Sequence, residues 1–226
     1  MRPSLSPRLL ACCDFVTSGE RVADVGCDHG YLSIYLLKSG IASSVLASDI
    51  RPGPLQAAIR NAQKYGVSDR LRFFLSDGLH ELPRDFDTLV CAGMGADVMI
   101  SILEAAPWLR TAEYRLVLQC QSKMPLLRKY LTETGWKIAD EVVVRDGRFL
   151  YTVMQVFWGP GQPLTPGQCW LSPALLAHPS ELTEEYCHRT LQLLQTSVNG
   201  KGAQADPLER AALEELTRNP FQEEPQ

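Results

Sequence analysis

Val22, Ala23 and Val25 form a short apolar run that Gly26 breaks, and from Tyr31 the residues Leu32, Ile34, Tyr35, Leu36 and Leu37 give a buried helical pattern ending near Gly40. This change of period predicts a strand that passes through a glycine turn into a helix. The same change recurs down the chain. Residues 44–49 read as a second strand, and Arg51-Pro52-Gly53-Pro54 breaks it before a helix over 55–65 with Leu55, Ala58, Ile59, Ala62 and Tyr65 on one stripe. Gly66 follows where a helix C-cap belongs. A third strand over 71–75 leads to Ser76-Asp77-Gly78-Leu79, and a fourth over 88–92 runs into Gly93-Met94-Gly95 and a helix over 96–105. The fifth strand falls at 114–119, before a helix over 123–134 that Gly135 ends. Ahead of all of these, residues 4–16 read as a capped amphipathic helix.

Repeated strand–helix alternation implies parallel strands joined by right-handed crossovers, with helices on both faces. After Gly135 the pattern changes. Residues 137–145 and 149–157 read as two long strands about Asp146-Gly147, a hairpin turn signal. The expected fold class is therefore α/β, a Rossmann-like sheet that is mostly parallel with an antiparallel last strand. Gly159 to Gly167 is rich in Gly and Pro and reads as a linker. Beyond it, Leu182, Tyr186, Leu193, Leu194 and Val198 mark a helix over 180–198, and Asn199-Gly200-Lys201-Gly202 a turn. Leu208, Ala212 and Leu216 mark a shorter helix over 206–218, which completes a small C-terminal helical hairpin. The expected organisation is a sheet domain over 1–160, then a linker and helical hairpin over 161–226. That hairpin is either a tail packed on the sheet or an arm that grips a substrate.

Composition narrows the class without naming a chemistry. With 226 residues, 45% apolar and 21% charged, the chain suits a globular domain of ordinary size with a small appendage. It holds no run of about eighteen apolar residues and no secretory pattern at its start, so a cytoplasmic protein without a membrane partner is expected. Cys12, Cys13, Cys27, Cys91, Cys120, Cys169 and Cys187 are scattered without a C-x-x-C pair, which indicates neither a zinc site nor a disulfide framework. Cys27 and Cys91 sit at strand ends and are expected to pack beside a ligand. The net charge of −4 is unevenly spread: 18 Lys and Arg face 17 Asp and Glu up to Trp158, but only 4 face 9 from Gly159 onward. Local basic clusters of the first part could approach a polyanion; the tail as a whole could not do so by charge alone.

The candidate chemistry starts at Asp24-Val25-Gly26-Cys27-Asp28-His29-Gly30. A glycine turn between strand and helix aims backbone N–H groups and the positive end of a helix dipole at one point, a cradle for a carboxylate or phosphate. The spacing is Asp-x-Gly-x-x-x-Gly, and Asp28 stands where the Gly-x-Gly-x-x-Gly of dinucleotide binding needs a glycine. That substitution and the antiparallel hairpin disfavour an NAD-dependent oxidoreductase. Asp49, at the end of the second strand, is placed to accept two hydrogen bonds from a ribose diol, which favours nucleoside binding over a purely structural turn. Ligand sites in open α/β sheets lie at the carboxyl ends of the strands. Asp24–Tyr31, Asp49–Ile50, Asp77–Gly78 and Gly93–Gly95 all fall there.

Assembled in this way, the chain resembles the bacterial tRNA (adenine-22 N1)-methyltransferase (TrmK) family, whose domain is of the class I methyltransferase type. Leu5-Ser6-Pro7-Arg8-Leu9-Leu10, Ala23 through Leu32, Ala92-Gly93-Met94-Gly95, Gly135-Trp136 and Ser172-Pro173-Ala174-Leu175-Leu176 carry the resemblance. Two departures stand out. The family's Gln-Pro-Asn at the end of strand five is here Gln119-Cys120-Gln121-Ser122, and Ala96 replaces the last glycine of Gly-Met-Gly-Gly. The resemblance implies S-adenosylmethionine as cofactor, tRNA as substrate and partner, and a helical hairpin that helps to hold the RNA. It implies cofactor contacts from Arg8, Asp24, Gly26, Cys27, Asp28, His29, Gly30, Asp49, Ile50, Asp77, Gly78, Ala92, Gly93, Met94 and Gly95.

Adenine N1 is already nucleophilic, so methyl transfer to it needs in-line positioning and exclusion of water more than acid–base help. Positive charge moves onto the purine as the methyl crosses, and a nearby carboxylate favours that transition state. Asp28 and His29 are the catalytic candidates; alternatively Asp28 caps the helix that starts at Gly30, and His29 is a structural hydrogen bonder. Arg8 either meets a cofactor carboxylate or phosphate or is a surface arginine. Arg51, Arg60, Lys64, Lys123, Arg128, Lys129, Arg145 and Arg148 are candidate phosphate contacts. Two further readings stay open: a cofactor-binding protein without catalysis, and a class I methyltransferase of a small molecule or protein. No metal and no oligomeric state is assigned.

Overall fold

The computed structural model describes residues 2–218. Seven strands form one sheet: β1 (Glu20–Val25), β2 (Ala42–Asp49), β3 (Leu71–Leu75), β4 (Thr88–Gly95), β5 (Arg115–Ser122), β6 (Trp136–Asp146) and β7 (Phe149–Trp158). Their spatial order is β3-β2-β1-β4-β5-β7-β6. The first five pair in parallel, and β7 runs antiparallel to both β5 and β6. The direction of winding reverses between β1 and β4, which opens a crevice at their carboxyl ends.

Period-2 alternation sends successive strand residues to two separate cores. Val22, Val45, Val90, Val117 and Val153 pack under α1 (Pro7–Asp14), α2 (Tyr31–Lys38) and α3 (Pro52–Tyr65). Ala23, Leu46, Leu89, Cys91, Leu116 and Leu118 pack on the other face with α4 (Ala96–Ala105) and α5 (Met124–Glu133). Ser6 holds the N-cap position of α1, but its hydroxyl makes no capping bond.

Beyond β5 the chain differs from its sequence reading in detail. Asp146 pairs with Phe149, so the hairpin loop is Gly147-Arg148, one residue later than expected. Gly147 has φ +61°, which explains a glycine at the first loop position. The stretch read as a linker contains the start of α6 (Pro166–Trp170), which Thr165 and Gln168 close with a reciprocal capping box, and α7 (Pro173–Leu176) follows under a Ser172 cap. Next comes α8 (Glu181–Lys201), which runs on through Asn199-Gly200-Lys201; the chain breaks at Gly202, with φ +50°, before α9 (Pro207–Arg218). The buried face of α8 is Thr183, Cys187, Thr190 and Leu194, rotated from the expected stripe, and Leu193 is 69% exposed. Residues 219–226 of this segment lie outside the described residues.

A buried ion pair joins this C-terminal segment to the sheet. Arg128, on α5, donates from Nε and Nη2 to the Glu141 carboxylate at 3.1 and 2.6 Å. Its Nη1 donates to the carbonyls of Cys169 and Trp170, and the Ser172 hydroxyl donates to Glu141 at 2.6 Å. Both side chains of the pair are fully buried. Arg128 is therefore a structural residue and not a phosphate contact.

Candidate active site

A cavity of about 820 Å³ opens at the carboxyl ends of β1, β2 and β4. Arg8, Asp24, Gly26, Cys27, Asp28, His29, Asp49, Ile50, Asp77, Gly78, Ala92, Gly93 and Met94 all line it. Gly30 and Gly95 do not. Gly30 has φ +73°, and a Cβ there would meet Ala58 Cβ at 2.9 Å, so it lets α2 approach α3. A Cβ on Gly95 would meet Ser122 Oγ at 2.8 Å, so that glycine keeps β4 close to β5. Cys91 lies under the site in the core, where burial pushes its thiol up to about 12.

Four N–H groups of the glycine turn already have acceptors within the protein. Gly26 and Cys27 both donate to the Ser48 carbonyl at 2.8 Å, Gly30 donates to the Cys27 carbonyl, and Asp28 N–H donates to Asp49 Oδ2 at 3.1 Å. Those four N–H groups of the expected carboxylate or phosphate cradle are thus turned to the protein's own acceptors. What faces the cavity is acidic: five aspartates, Asp24, Asp28, Asp49, Asp77 and Asp97, line it, against Arg8 and Arg51. Asp24 is 2% exposed and accepts the Ser33 hydroxyl at 2.5 Å. Burial pushes its carboxyl up to about 6, although Ser33 hydrogen bonds oppose the shift. Asp49 is buried too, and its oxygens accept the N–H groups of Asp28 and Arg51, which leaves each oxygen further lone pairs.

Asp28 has φ +50°, one of two non-glycine residues in the left-handed region among those described. Glycine takes this conformation without strain, so the aspartate places a carboxylate there at a conformational cost. Its side chain is more than half exposed, with Arg51 Nη2 at 3.7 Å and His29 Nε2 at 3.8 Å. The helix-capping alternative is not observed: Gly30 is the N-cap of α2, and no side chain caps it. His29 stands at the mouth beside Tyr31, ring centroids 6.3 Å apart, and its carbonyl accepts from Asn61 on α3.

Arg8 is neither a free surface arginine nor a free cation. Its Nε donates to Asp146 at 3.1 Å and its Nη1 to Gln119 Oε1 at 2.9 Å. The same Gln119 oxygen accepts Gly93 N–H at 3.0 Å. Gly93 is the extra residue of a bulge in β4, with φ +81°, and the buried Gln119 side chain supplies the acceptor that the ladder lacks there. Lys123 pairs with Asp97 at 2.7 Å, and Arg145 pairs with Glu185.

Sequence reading missed several lining residues. Gln121 lies two residues beyond Gln119 on β5, so period 2 brings it to the same side, where it lines the cavity. Asp97, Val98, Ser101 and Ile102 come from the first turns of α4 at i, i+1, i+4 and i+5, the face that looks back to the end of β4.

A Rossmann-like sheet with its last strand, β7, reversed, and an acidic cavity at its switch point, define a class I methyltransferase type of domain. A family model described as a methyltransferase domain matches residues 5–154, and the chain belongs to that family. Within it, the chain is similar to bacterial tRNA methyltransferases. It is 31% identical over 151 residues to the tRNA (adenine(22)-N(1))-methyltransferase of Bacillus subtilis, covering 66% of this chain and 63% of that protein's length. The solved structure of Streptococcus pneumoniae Sp1610, a putative tRNA (m1A22) methyltransferase, is 25% identical and superposes with a TM-score of 0.84 over 95% of this chain and 99% of that one. The same Sp1610 protein in complex with S-adenosyl-L-methionine is 26% identical, with a TM-score of 0.79 over 91% and 98% of the two chains. Among the described residues, no helix is long and apolar enough to cross a membrane, and no cluster of metal-ligating side chains occurs.

Proposed function

We propose that this chain is an S-adenosylmethionine-dependent methyltransferase that modifies N1 of an adenine in tRNA, and that it acts in the cytoplasm. The observation that carries the reading is a pair of buried carboxylates lining a cavity: Asp24 enters no ion pair among the described residues, and Asp49 meets only the exposed Arg51, whose Nε lies 3.7 Å away. Such a floor fits a nucleoside with a positive charge and a diol; the pyrophosphate of a dinucleotide would meet it unfavourably. S-adenosylmethionine supplies an electrophilic methyl group on a positively charged sulfur.

The chain's own residues bind and orient. Asp49 accepts ribose hydroxyls with its remaining lone pairs, Ile50 and Ile102 offer apolar surface to a purine, and Asp24 favours the positive end of the ligand. Asp28 offers its carboxylate at the mouth, where the attacking ring nitrogen gains positive charge, and His29 and Tyr31 border the approach. Gln121, at the end of β5, places an amide where the resemblance led to expect an asparagine. Residues 1–160 form the cofactor domain in this reading, and residues 161–226 a helical appendage joined to it through the Arg128–Glu141 seam.

Incubating the purified protein with labelled cofactor and bacterial tRNA, then analysing nucleosides, tests the reading. The expected product is 1-methyladenosine, with activity that falls steeply as salt rises, because extruding a stacked base relies on phosphate contacts. Methyl on another position, on protein or on a small molecule would leave the cofactor site standing and refute the substrate.

A further inference from the structure

We propose that the β6–β7 tip is a stacking platform for unpaired RNA nucleotides that neighbour the base entering the cavity. The inference rests on the tRNA reading above and adds a place on the protein where the RNA is held. Phe149 opens β7 at the tip and is 52% exposed, the one exposed phenylalanine among the described residues. Tyr151, two residues on and so on the same face, lies 6.1 Å from it between ring centroids. The Arg148 guanidinium in the loop sits 4.9 Å from the Phe149 ring, and among the described residues it enters no ion pair. Its neighbour Arg145 is by contrast tied to Glu185.

The row of rings leads to the active site. The Arg8 guanidinium lies 5.8 Å from the Tyr151 ring, and Arg8 itself lines the cavity, held there by Asp146 and Gln119. Phe149, Tyr151 and Arg8 thus form a continuous aromatic and cationic track from hairpin tip to cavity mouth. Bases stack on aromatic faces whatever their identity, and arginine beside the rings meets phosphate and base together. A base drawn out of its stack leaves its neighbours without a partner, and a platform beside the mouth replaces that contact. An apolar protein partner would instead have to desolvate the Arg148 charge without an anion to receive it.

The test uses the full chain, a tRNA transcript carrying 2-aminopurine next to the target adenine, and the variants Phe149→Leu, Phe149→Trp and Arg148→Ala. Phe149→Leu is expected to weaken tRNA binding about tenfold and to abolish the quenching of 2-aminopurine that binding causes, whereas Phe149→Trp retains both. Arg148→Ala should weaken binding and lower the steepness of its salt dependence by about one ion. Calorimetric affinity for S-adenosylhomocysteine should be the same in all of them. Wild-type RNA binding and quenching in Phe149→Leu, beside a wild type that methylates tRNA, would overturn the platform alone. A wild type that neither binds nor methylates tRNA would overturn the platform and the substrate reading together.

Discussion

Beneath the C-terminal helices, the Arg128 guanidinium is wholly buried and answered on every side, by Glu141, by two carbonyls and, through Glu141, by the Ser172 hydroxyl. Beneath the glycine turn, Asp24 and Asp49 are almost as deeply buried, yet Asp24 is answered only by Ser33, and Asp49 by two backbone N–H groups and the largely exposed Arg51 guanidinium 3.7 Å away. The physical consequences run in opposite directions. Burial opposes the charge on Arg128, but Glu141 more than offsets it and the guanidinium holds its proton more tightly than usual. At Asp24 burial wins, and the carboxyl is pushed up to about 6. A closed charge network serves the fold. An open one, lining a cavity, leaves a place for a ligand that brings the missing charge.

The largest effect should come from breaking the closed network. Arg128→Met strands the Glu141 carboxylate and should destabilise the protein by about 3–5 kcal/mol in chemical denaturation, while the double change Arg128→Met with Glu141→Leu should recover most of that loss. At the open site the sign reverses. A carboxyl with a pKa higher in the fold than in the unfolded chain stabilises the protein below the unfolded value, and that contribution is lost as pH rises through 6. Asp24→Asn, which keeps an acceptor for Ser33, should therefore make the ligand-free protein more stable than wild type at pH 7, by up to about 3 kcal/mol. The gap should close towards pH 4 in denaturation curves. The same variant should bind S-adenosylmethionine more weakly, a trade of stability for function.

Asp49→Ala should weaken cofactor binding by about 1.5–3 kcal/mol in calorimetry, because a charged acceptor for the ribose is lost. Unchanged affinity would mean that the ribose is held elsewhere. The smallest effect is expected at the exposed carboxylate. Asp28→Asn keeps the left-handed backbone accessible and should lower kcat by about tenfold while cofactor affinity stays near wild type. Equal losses in both would make Asp28 a binding group.

These contrasts also mark what the sequence could tell. The five parallel strands, the α/β class and the antiparallel hairpin were legible because their periods differ and their breaks are glycines and prolines. Most of the candidate site residues were legible as a group lining one cavity, since the ends of β1, β2 and β4 and the loop after β3 each carry a polar or glycine signal. The bonding inside the site was not. Nothing local to Gly26 and Cys27 says that the Ser48 carbonyl of another strand takes their N–H groups, or that Asp49 takes that of Asp28. Arg128 read as one more surface cation because Glu141 and the Cys169 and Trp170 carbonyls are distant in sequence. On α8, Thr183, Cys187 and Thr190 form the buried face; small and polar residues there carry little hydrophobic signal, and Leu193 drew the expected stripe outward.

A calorimetric titration of the wild type with S-adenosylmethionine between pH 5 and pH 7.5 tests the open-site account most directly. Affinity should lie in the micromolar range, on the order of −8 kcal/mol, strengthen as pH rises through 6 and be accompanied by proton release on the acid side. Asp24→Asn should remove that pH dependence. An affinity indifferent to pH, or binding of NADH with none of S-adenosylmethionine, would contradict it.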